Sequence, residues 1–522
     1  MLVNEIDKTK ITRDDYLVVQ NLKTQFFTSK GIVKAIDSVS FSVKEGEVYG
    51  IVGESGCGKS VTATSVMDLV PDPPGRIIGG SIYVDGFDII SDTDKLVKIT
   101  VKSETDVKIK RNKRLIKRHN YIISRIRGKK IAMIFQEPSL ALNPVMTIGD
   151  QIIENILLHN MASISESIIR RETIKDQDLD NFLSEASGIK DHSDLKRYVQ
   201  RWARDFGMPD IEDSILNVLS SNAAKPFVRK ELVELIIPQR KGVSINIFQE
   251  TKDYHDDLNK LLDLNLKLLN SENKADNAGI ARYEQEVKNL ERYMRTKYLV
   301  FNLKKMILKK THQRVFQEEA RRRAIELLKL VNIAGPERVI DSYPHELSGG
   351  MQQRSMIAMA LASDPRLLIA DEPTTALDVT TQAQILDLIR ELNKFTGSSV
   401  IFITHDLAVI AEMCNRVAVM YAGNIVEEAS VDDIFTNSKH PYTTGLLRSI
   451  PRTDVNVSRN LRMESIPGNV PNLITPPTGC RFNPRCQHKM DVCEKSKPKL
   501  VDVGDGHKVA CFLYSDLTDG DN

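Results

Sequence analysis

Gly53-Glu54-Ser55-Gly56-Cys57-Gly58-Lys59-Ser60 follows an apolar stretch, runs into a helical pattern, and has the spacing G-x-x-x-x-G-K-S. Such a loop suits phosphate: its glycines let successive backbone N–H groups turn inward, and the start of the next helix adds positive potential. Lys59 is then expected to reach the β- and γ-phosphates of a nucleotide, with the Ser60 hydroxyl on Mg²⁺. Much further along, the apolar run Leu367-Leu368-Ile369-Ala370 ends in Asp371, the place for a carboxylate that supports the metal ion. Glu372 follows directly and is positioned to polarise an attacking water as a general base. His405 follows the apolar run Val400–Thr404, so it should emerge at the carboxyl end of a strand, where open α/β sheets bind ligands. Taken singly, a strand-end acid is often only solvated and a lone histidine is often structural. In company with the loop, they point to hydrolysis of a nucleoside triphosphate.

These residues need an α/β scaffold. Tyr16–Val19, Val39–Val43 and Val48–Val52 read as short strands, an antiparallel edge ahead of an α/β core. Residues 76–90, RIIGGSIYVDGFDII, read as a hairpin with Gly79-Gly80 and Asp85-Gly86 as turns. Ile131–Phe135 is a further strand, a long helix starts near Glu318, and strands at Leu367–Ala370 and Val400–Thr404 alternate with helices. Two stretches break the pattern. Residues 93–126 are polar and basic, with KIKRNKRLIKRH at 108–119, and residues 161–313 are rich in Asp, Lys, Asn and Ser. In the second, Tyr283, Val287, Leu290 and Met294 fall on one helix face, and Leu258, Leu262 and Leu269 form a leakier stripe. A helical hairpin interrupted by NSENKADNAG at 270–279 is the simplest reading, and a polar insert without fixed structure is the alternative.

Composition narrows the class. A chain of 522 residues has room for two or three domains, and 41% hydrophobic with 27% charged residues is the mixture of a soluble globular protein. The net charge of +2 gives no overall attraction to nucleic acid. The basic run Lys108–His119 could meet anionic head groups or RNA, but a solvated charged face is the simpler reading. The first residues lack the apolar core of a signal peptide, and no run of about 18 apolar residues occurs, so any pore would have to come from separate membrane subunits.

Leu347-Ser348-Gly349-Gly350-Met351-Gln352-Gln353-Arg354, just ahead of the Asp371-Glu372 strand, resembles the signature motif of ABC ATPases. With Phe135-Gln136 as Q-loop, Ala376-Leu377-Asp378 as D-loop and His405 as switch histidine, the resemblance covers residues 15–430 apart from the two insertions. It implies an α/β P-loop NTPase fold: a RecA-like core with an antiparallel β edge and a helical subdomain, to which a helical insertion and a small C-terminal cysteine-containing domain are added. It further implies ATP and Mg²⁺ as ligands, with Ser60, Gln136 and Asp371 around the metal ion. Ser348, Gly349 and Gly350 of one subunit would cap the γ-phosphate held by the P-loop of another, again at a helix N-terminus that favours anions. Asp378 would lie at the same composite site. Phe26 falls where the family stacks an aromatic on adenine; Phe27 could serve instead, and a core role for either is the competing reading. One P-loop and one signature motif in the chain call for a second ATPase subunit, a copy or a related chain.

Residues 75–90, 131–151 and 338–354 resemble more narrowly the oligopeptide/dipeptide permease ATPases. So do His440–Leu447, Ile466-Pro467-Gly468 and Cys480–Cys486. The resemblance implies a peripheral subunit on the cytoplasmic face of the cell membrane. Two integral membrane subunits would form the pore, an extracellular peptide-binding protein would supply it indirectly, and no nucleic acid is expected. Oligopeptides or dipeptides are the expected cargo, with nickel or another small solute as the alternative. Chromosome-maintenance and DNA-repair ABC ATPases also carry a helical arm between P-loop and signature; weak heptads, a short insert and the permease-like tail argue against them. The expected organisation is 15–92 first core segment, 93–126 basic insertion, 127–160 Q-loop and start of the helical subdomain, 161–313 helical insertion, 314–430 second core segment, and 431–522 C-terminal domain.

Of the six cysteines, Cys480, Cys486, Cys493 and Cys511 crowd into the tail at C-x5-C-x6-C-x17-C. In some relatives this pattern holds a [4Fe–4S] cluster. The spacing alone leaves a cluster, zinc or another metal, and free thiols all open.

Overall fold

The computed structural model describes residues 14–90, 96–101, 107–174, 176–189, 191–206, 212–220, 228–232, 245–273, 276–298, 309–375, 377–449 and 466–514. They fall into two compact units, Met1–Ala141 with Asp364–Asn522, and Leu142–Ser363.

The first unit opens with β1 (Asp15–Thr28) and β2 (Gly31–Lys44), followed by β3 (Val48–Val52), β4 (Gly75–Val84) and β5 (Phe87–Asp88). The order β2-β1-β4-β5 forms a four-stranded antiparallel sheet. Its strands are longer than the short apolar runs suggest, because bulges let β1 continue past Asn21. Gly79-Gly80 is not a turn. It lies inside β4, where Gly80 has φ of 97° and a Cβ would stand 2.6 Å from the carbonyl oxygens of Gln20 and Asn21, so glycine is required by a bulge. The turn is at Asp85-Gly86, between β4 and β5.

The main sheet holds eight strands. It adds β8 (Ile131–Ile134), β9 (Leu367–Asp371), β10 (Ser399–Thr404), β11 (Arg416–Tyr421), β12 (Asn424–Ser430), β13 (Val501–Asp502) and β14 (Lys508–Val509), in the order β13-β14-β12-β11-β3-β10-β9-β8. β3, β8, β9 and β10 are almost wholly apolar and buried along their length, the composition of parallel strands covered on both faces. β10 pairs in parallel with both β3 and β9, and β9 with β8. The C-terminal region joins this sheet, since β14 pairs antiparallel with β12.

In the basic stretch, β6 (Val97–Val101) pairs antiparallel with β7 (Val107–Arg111), and the helix Lys113–Ile126, capped by Asn112, follows. Ile122, Ile123 and Ile126 are buried, and His119 hydrogen-bonds Asp68 at 2.9 Å, so one face of this helix is anchored and the charged face is turned away.

The second unit is helical among its described residues. The helix Lys309–Leu330 packs on Ile148–His159 and Gly349–Leu361. It is already helical at Lys309, well ahead of Glu318, and Val315 and Phe316 in that added length are buried. The helices Ile245–Asn273 and Asn277–Lys297 form the expected hairpin, capped by Asp276, with Val287, Met294 and Tyr298 packed on Leu261. Residues 270–273 and 277–279 are helical, so the interruption is far shorter than the polar stretch 270–279. A separate apolar cluster gathers Leu179, Phe182, Val199, Trp202 and Ile215, with Phe182 4.3 Å from Trp202 between ring centres.

Trp202 is the single tryptophan of the chain, so its emission reports this cluster. Phe182→Ala is expected to cost about 3–5 kcal/mol locally and to shift Trp202 emission to the red; unchanged emission would mean that the cluster is not packed around Phe182.

Candidate active site

The parallel register brings four loops to one edge. Val52 is opposite Thr404, Ile403 opposite Asp371, and Ala370 opposite Ile134. The Gly53–Ser60 loop, His405, Asp371-Glu372 and Phe135-Gln136 therefore leave adjacent strands at the same level, the crevice position expected of an open α/β sheet.

Gly53 lies against the neighbouring strand, where a Cβ would stand 2.2 Å from the Met420 carbonyl oxygen. Gly58, with φ of 105°, precedes the helix Lys59–Val66. Cys57 is buried, which pushes its thiol pKa up and leaves it a packing residue. Lys59 is 5% exposed, and its Nζ donates to the carbonyl oxygens of Gly53 at 2.7 Å and Glu54 at 3.2 Å. The ammonium thus lies inside the Gly53–Ser60 loop. Ser55 and Gly56 continue the loop, and Ser60 Oγ donates to Asp371 Oδ1 at 3.1 Å.

Glu372 is the focus of the polar contacts. Gln136 Nε2 donates to its Oε2 at 2.9 Å and Thr375 Oγ1 to the same oxygen at 3.0 Å. His405 Nδ1 lies 3.3 Å and Lys59 Nζ 3.9 Å from its Oε1. Its backbone has φ of 45°, a conformation uncommon for a residue with a side chain, and its N–H donates to Ile403 O at 2.9 Å. Thr375 has no motif of its own, and nothing in its position along the chain marks it.

Asp371 is buried beside Glu372. Burial raises its pKa to about 6, the Ser60 hydrogen bond and Lys59 oppose the rise, and the Glu372 charge adds to it. Ser60 and Asp371 together present hard oxygen donors, and Gln136 is held alongside through Glu372; this set fits Mg²⁺.

Ser348 caps the helix Gly349–Leu361 and accepts from Met351 N–H at 3.4 Å, with Gly349 and Gly350 in the first turn. Asp378 caps the helix Val379–Thr396, accepting from Thr381 N–H at 2.9 Å and Thr381 Oγ1 at 2.7 Å. Ala376 lies outside the described residues. Phe26 and Phe27 are both half-buried on β1, and the Phe26 ring lies against Gly75. Cys480, Cys486, Cys493 and Cys511 line one small cavity. Burial pushes the Cys480 thiol up to about 11 and raises Cys486 and Cys511 as well. Among the described residues, no three His, Cys, Asp or Glu side chains are gathered as the ligands of a metal ion.

Residues 36–225 and 261–375 match the family model described as ABC transporter, and residues 426–493 match the oligopeptide/dipeptide transporter C-terminal region. The chain belongs to the ABC transporter family. It is an ATP-hydrolysing subunit of that family, with the α/β cassette fold and the permease-type C-terminal region. It is similar to a probable peptide ABC transporter ATP-binding protein of Sinorhizobium fredii, 32% identical over 504 residues, 97% of this chain and 96% of that protein. The oligopeptide transport ATP-binding protein AppD of Bacillus subtilis is 32% identical over 500 residues, 96% of this chain and 97% of AppD. The dipeptide transport ATP-binding protein DppD of the same species is 32% identical over 497 residues, covering 95% and 94%. Among the described residues, no helix is long and apolar enough to cross a membrane.

Asp371 carries a pH signature. Its native pKa of about 6 exceeds the ordinary 3.8, so between those values the folded state binds more protons than the unfolded. Its contribution to stability therefore falls as pH rises through that window and stays lost above it. Asp371→Asn is expected to melt higher than the parent at pH 7 without nucleotide, by at most about 3 kcal/mol of stability. The difference should close toward pH 4, while Mg²⁺-dependent turnover is lost. Melting curves across that range check the sign, and a lower Tm for Asp371→Asn at pH 7 would reject it.

Proposed function

We propose that the chain drives the import of oligopeptides or dipeptides as one ATPase subunit of a permease, held peripherally at the cytoplasmic face of the membrane. The observation that carries the catalytic part is the convergence of Lys59, Gln136, Thr375 and His405 on Glu372, beside the Ser60–Asp371 pair. The peptide part is supported by the match of residues 426–493 and by relatives whose names specify peptide transport. The same match favours the importer over an ABC ATPase acting on DNA, and those relatives favour peptides over nickel.

In this mechanism Gly53–Ser60 wraps the phosphates, and Lys59 exchanges the Gly53 and Glu54 carbonyls for β- and γ-phosphate oxygens. Ser60 and Asp371, with Gln136, would hold Mg²⁺, which when bound offsets phosphate charge. Glu372 takes the proton of the attacking water, and its orientation is set by Gln136 and Thr375. His405, exposed and next to Glu372, faces the developing charge on the γ-phosphate. Ser348, Gly349 and Gly350 cap the γ-phosphate bound to a partner ATPase, with Asp378 at the same composite site. Phe26 is the proposed adenine contact. The partners are a related ATPase chain, two integral membrane subunits and, indirectly, an extracellular peptide-binding protein. Iron–sulfur binding stays outside this mechanism. The shared cavity of the tail thiols supports asking the question, and iron and sulfide analysis of chain purified without oxygen answers it.

Glu372→Gln is expected to bind MgATP as the parent does and to lose turnover by about 100-fold or more; an unchanged rate removes Glu372 from the role of base. Pull-down of that variant from solubilised membranes with ATP should recover two multi-span proteins and a second ATPase. Recovery of nucleic acid or soluble proteins alone would overturn the importer reading.

A further inference from the structure

Glu54, the second residue of the phosphate loop, has every polar group engaged. Its carboxylate accepts two bonds from Arg485, at 2.7 Å from Nη1 and 3.0 Å from Nη2. Its backbone N–H donates to Tyr442 Oη at 3.0 Å, and its carbonyl oxygen accepts from Lys59. Two of these three holds come from the C-terminal region, 388 and 431 residues away along the chain.

The holders are themselves fixed. The Arg485 side chain is 5% exposed, and its Nε donates to Pro467 O at 2.9 Å. It lies at the end of the short turn Asn483–Arg485, between Cys480 and Cys486. Tyr442 is fully buried and packs with Tyr421 and Phe482, at 4.6 Å and 5.4 Å between ring centres. A two-point guanidinium–carboxylate pair fixes direction as well as distance, which a single contact does not. Such a pair at the mouth of a phosphate loop limits the angles at which the backbone between Gly53 and Lys59 can turn its N–H groups inward.

We propose that Arg485 and Tyr442 are positioning residues for ATP binding: from the C-terminal region they clamp Glu54 and so pre-form the phosphate loop. The inference rests on the reading of Gly53–Ser60 as the ATP site. It assigns the C-terminal region a part in nucleotide affinity, beyond covering the edge of the sheet.

The test is equilibrium binding of MgATP to the full chain, with Tm and amide hydrogen exchange of residues 54–58 measured alongside. Arg485→Ala is expected to weaken MgATP about tenfold and to speed exchange at those amides. Glu54→Gln should weaken binding to a similar degree, and combining the two should add little, because both break one pair. Tyr442→Phe should speed exchange at the Glu54 amide. A pair that only ties the tail to the core would lower Tm and leave MgATP affinity and loop exchange as in the parent, and that result overturns the proposal. So would full additivity of Glu54→Gln and Arg485→Ala. If Arg485→Ala does not fold, Glu54→Gln alone decides: parental affinity rejects the clamp. Lys59→Ala separates the two readings. If it leaves MgATP binding intact, the site assignment itself fails; if it abolishes binding while Arg485→Ala matches the parent, only the clamp fails.

Discussion

The catalytic edge depends on the parallel pairing of β3, β10, β9 and β8 in matched register. Parallel strands run in one direction, so their carboxyl ends fall on one side of the sheet, and the loop after each strand is delivered to the same crevice. A shift of one residue would turn each side chain to the opposite face. Asp371 at the end of β9 would then no longer meet Ser60, nor would Gln136 meet Glu372. The almost uninterrupted apolar composition of these strands, which lets them be covered on both faces, is thus a condition for the chemistry as well as for folding.

Around that edge the charges are close and partly desolvated. Asp371 and Glu372 are sequence neighbours of like sign, and Lys59 is the cation placed between them and the loop carbonyls. Burial, with the Glu372 charge added to it, raises the Asp371 pKa despite the Ser60 hydrogen bond and Lys59. A bound metal ion would relieve that rise, whereas drawing Lys59 away toward an anion would withdraw the charge that now opposes it. The left-handed backbone of Glu372 belongs to the same arrangement: an uncommon conformation is tolerated because Ile403 and the neighbours of its carboxylate hold it from several sides.

Segments outside the two larger sheets are held by specific polar groups. His119 and Asp68 secure the helix Lys113–Ile126. In the second unit, a buried Arg171–Glu319 pair at 3.4 Å ties the helix Met161–Glu172 to Lys309–Leu330, and the helices between them have their own apolar clusters. In the C-terminal region Glu427, fully buried, accepts from Lys439 N–H, His440 N–H and His507 Nε2, at 2.5, 3.1 and 2.8 Å. A buried carboxylate with that many donors leaves little freedom for the segments that supply them.

The motifs were legible from sequence because each combines a local backbone requirement with a chemical one. Gly53–Ser60 needs glycines at set positions and a following helix; Asp371-Glu372 needs an apolar strand before it; Ser348 needs to cap a helix. Such requirements are short-range and leave a pattern in consecutive residues. The fully apolar strands were readable for the same reason, whereas the length of β1 and the helical turns ahead of Glu318 were not, since bulges and marginal helical residues are settled by what they pack against. Gly79-Gly80 looked like a turn because glycine serves both turns and bulges, and only the neighbouring strand distinguishes them. Thr375, three residues beyond Glu372, had no motif to mark it, and Tyr442 and Arg485, although inside tail segments that resemble the permease family, had no signal that tied them to Glu54. Sequence by itself determined the chemistry and the class of fold, through residues whose neighbours along the chain constrain them. Tertiary structure alone decided which distant side chains hold those residues in place, because contacts across hundreds of residues depend on packing and leave no spacing to read.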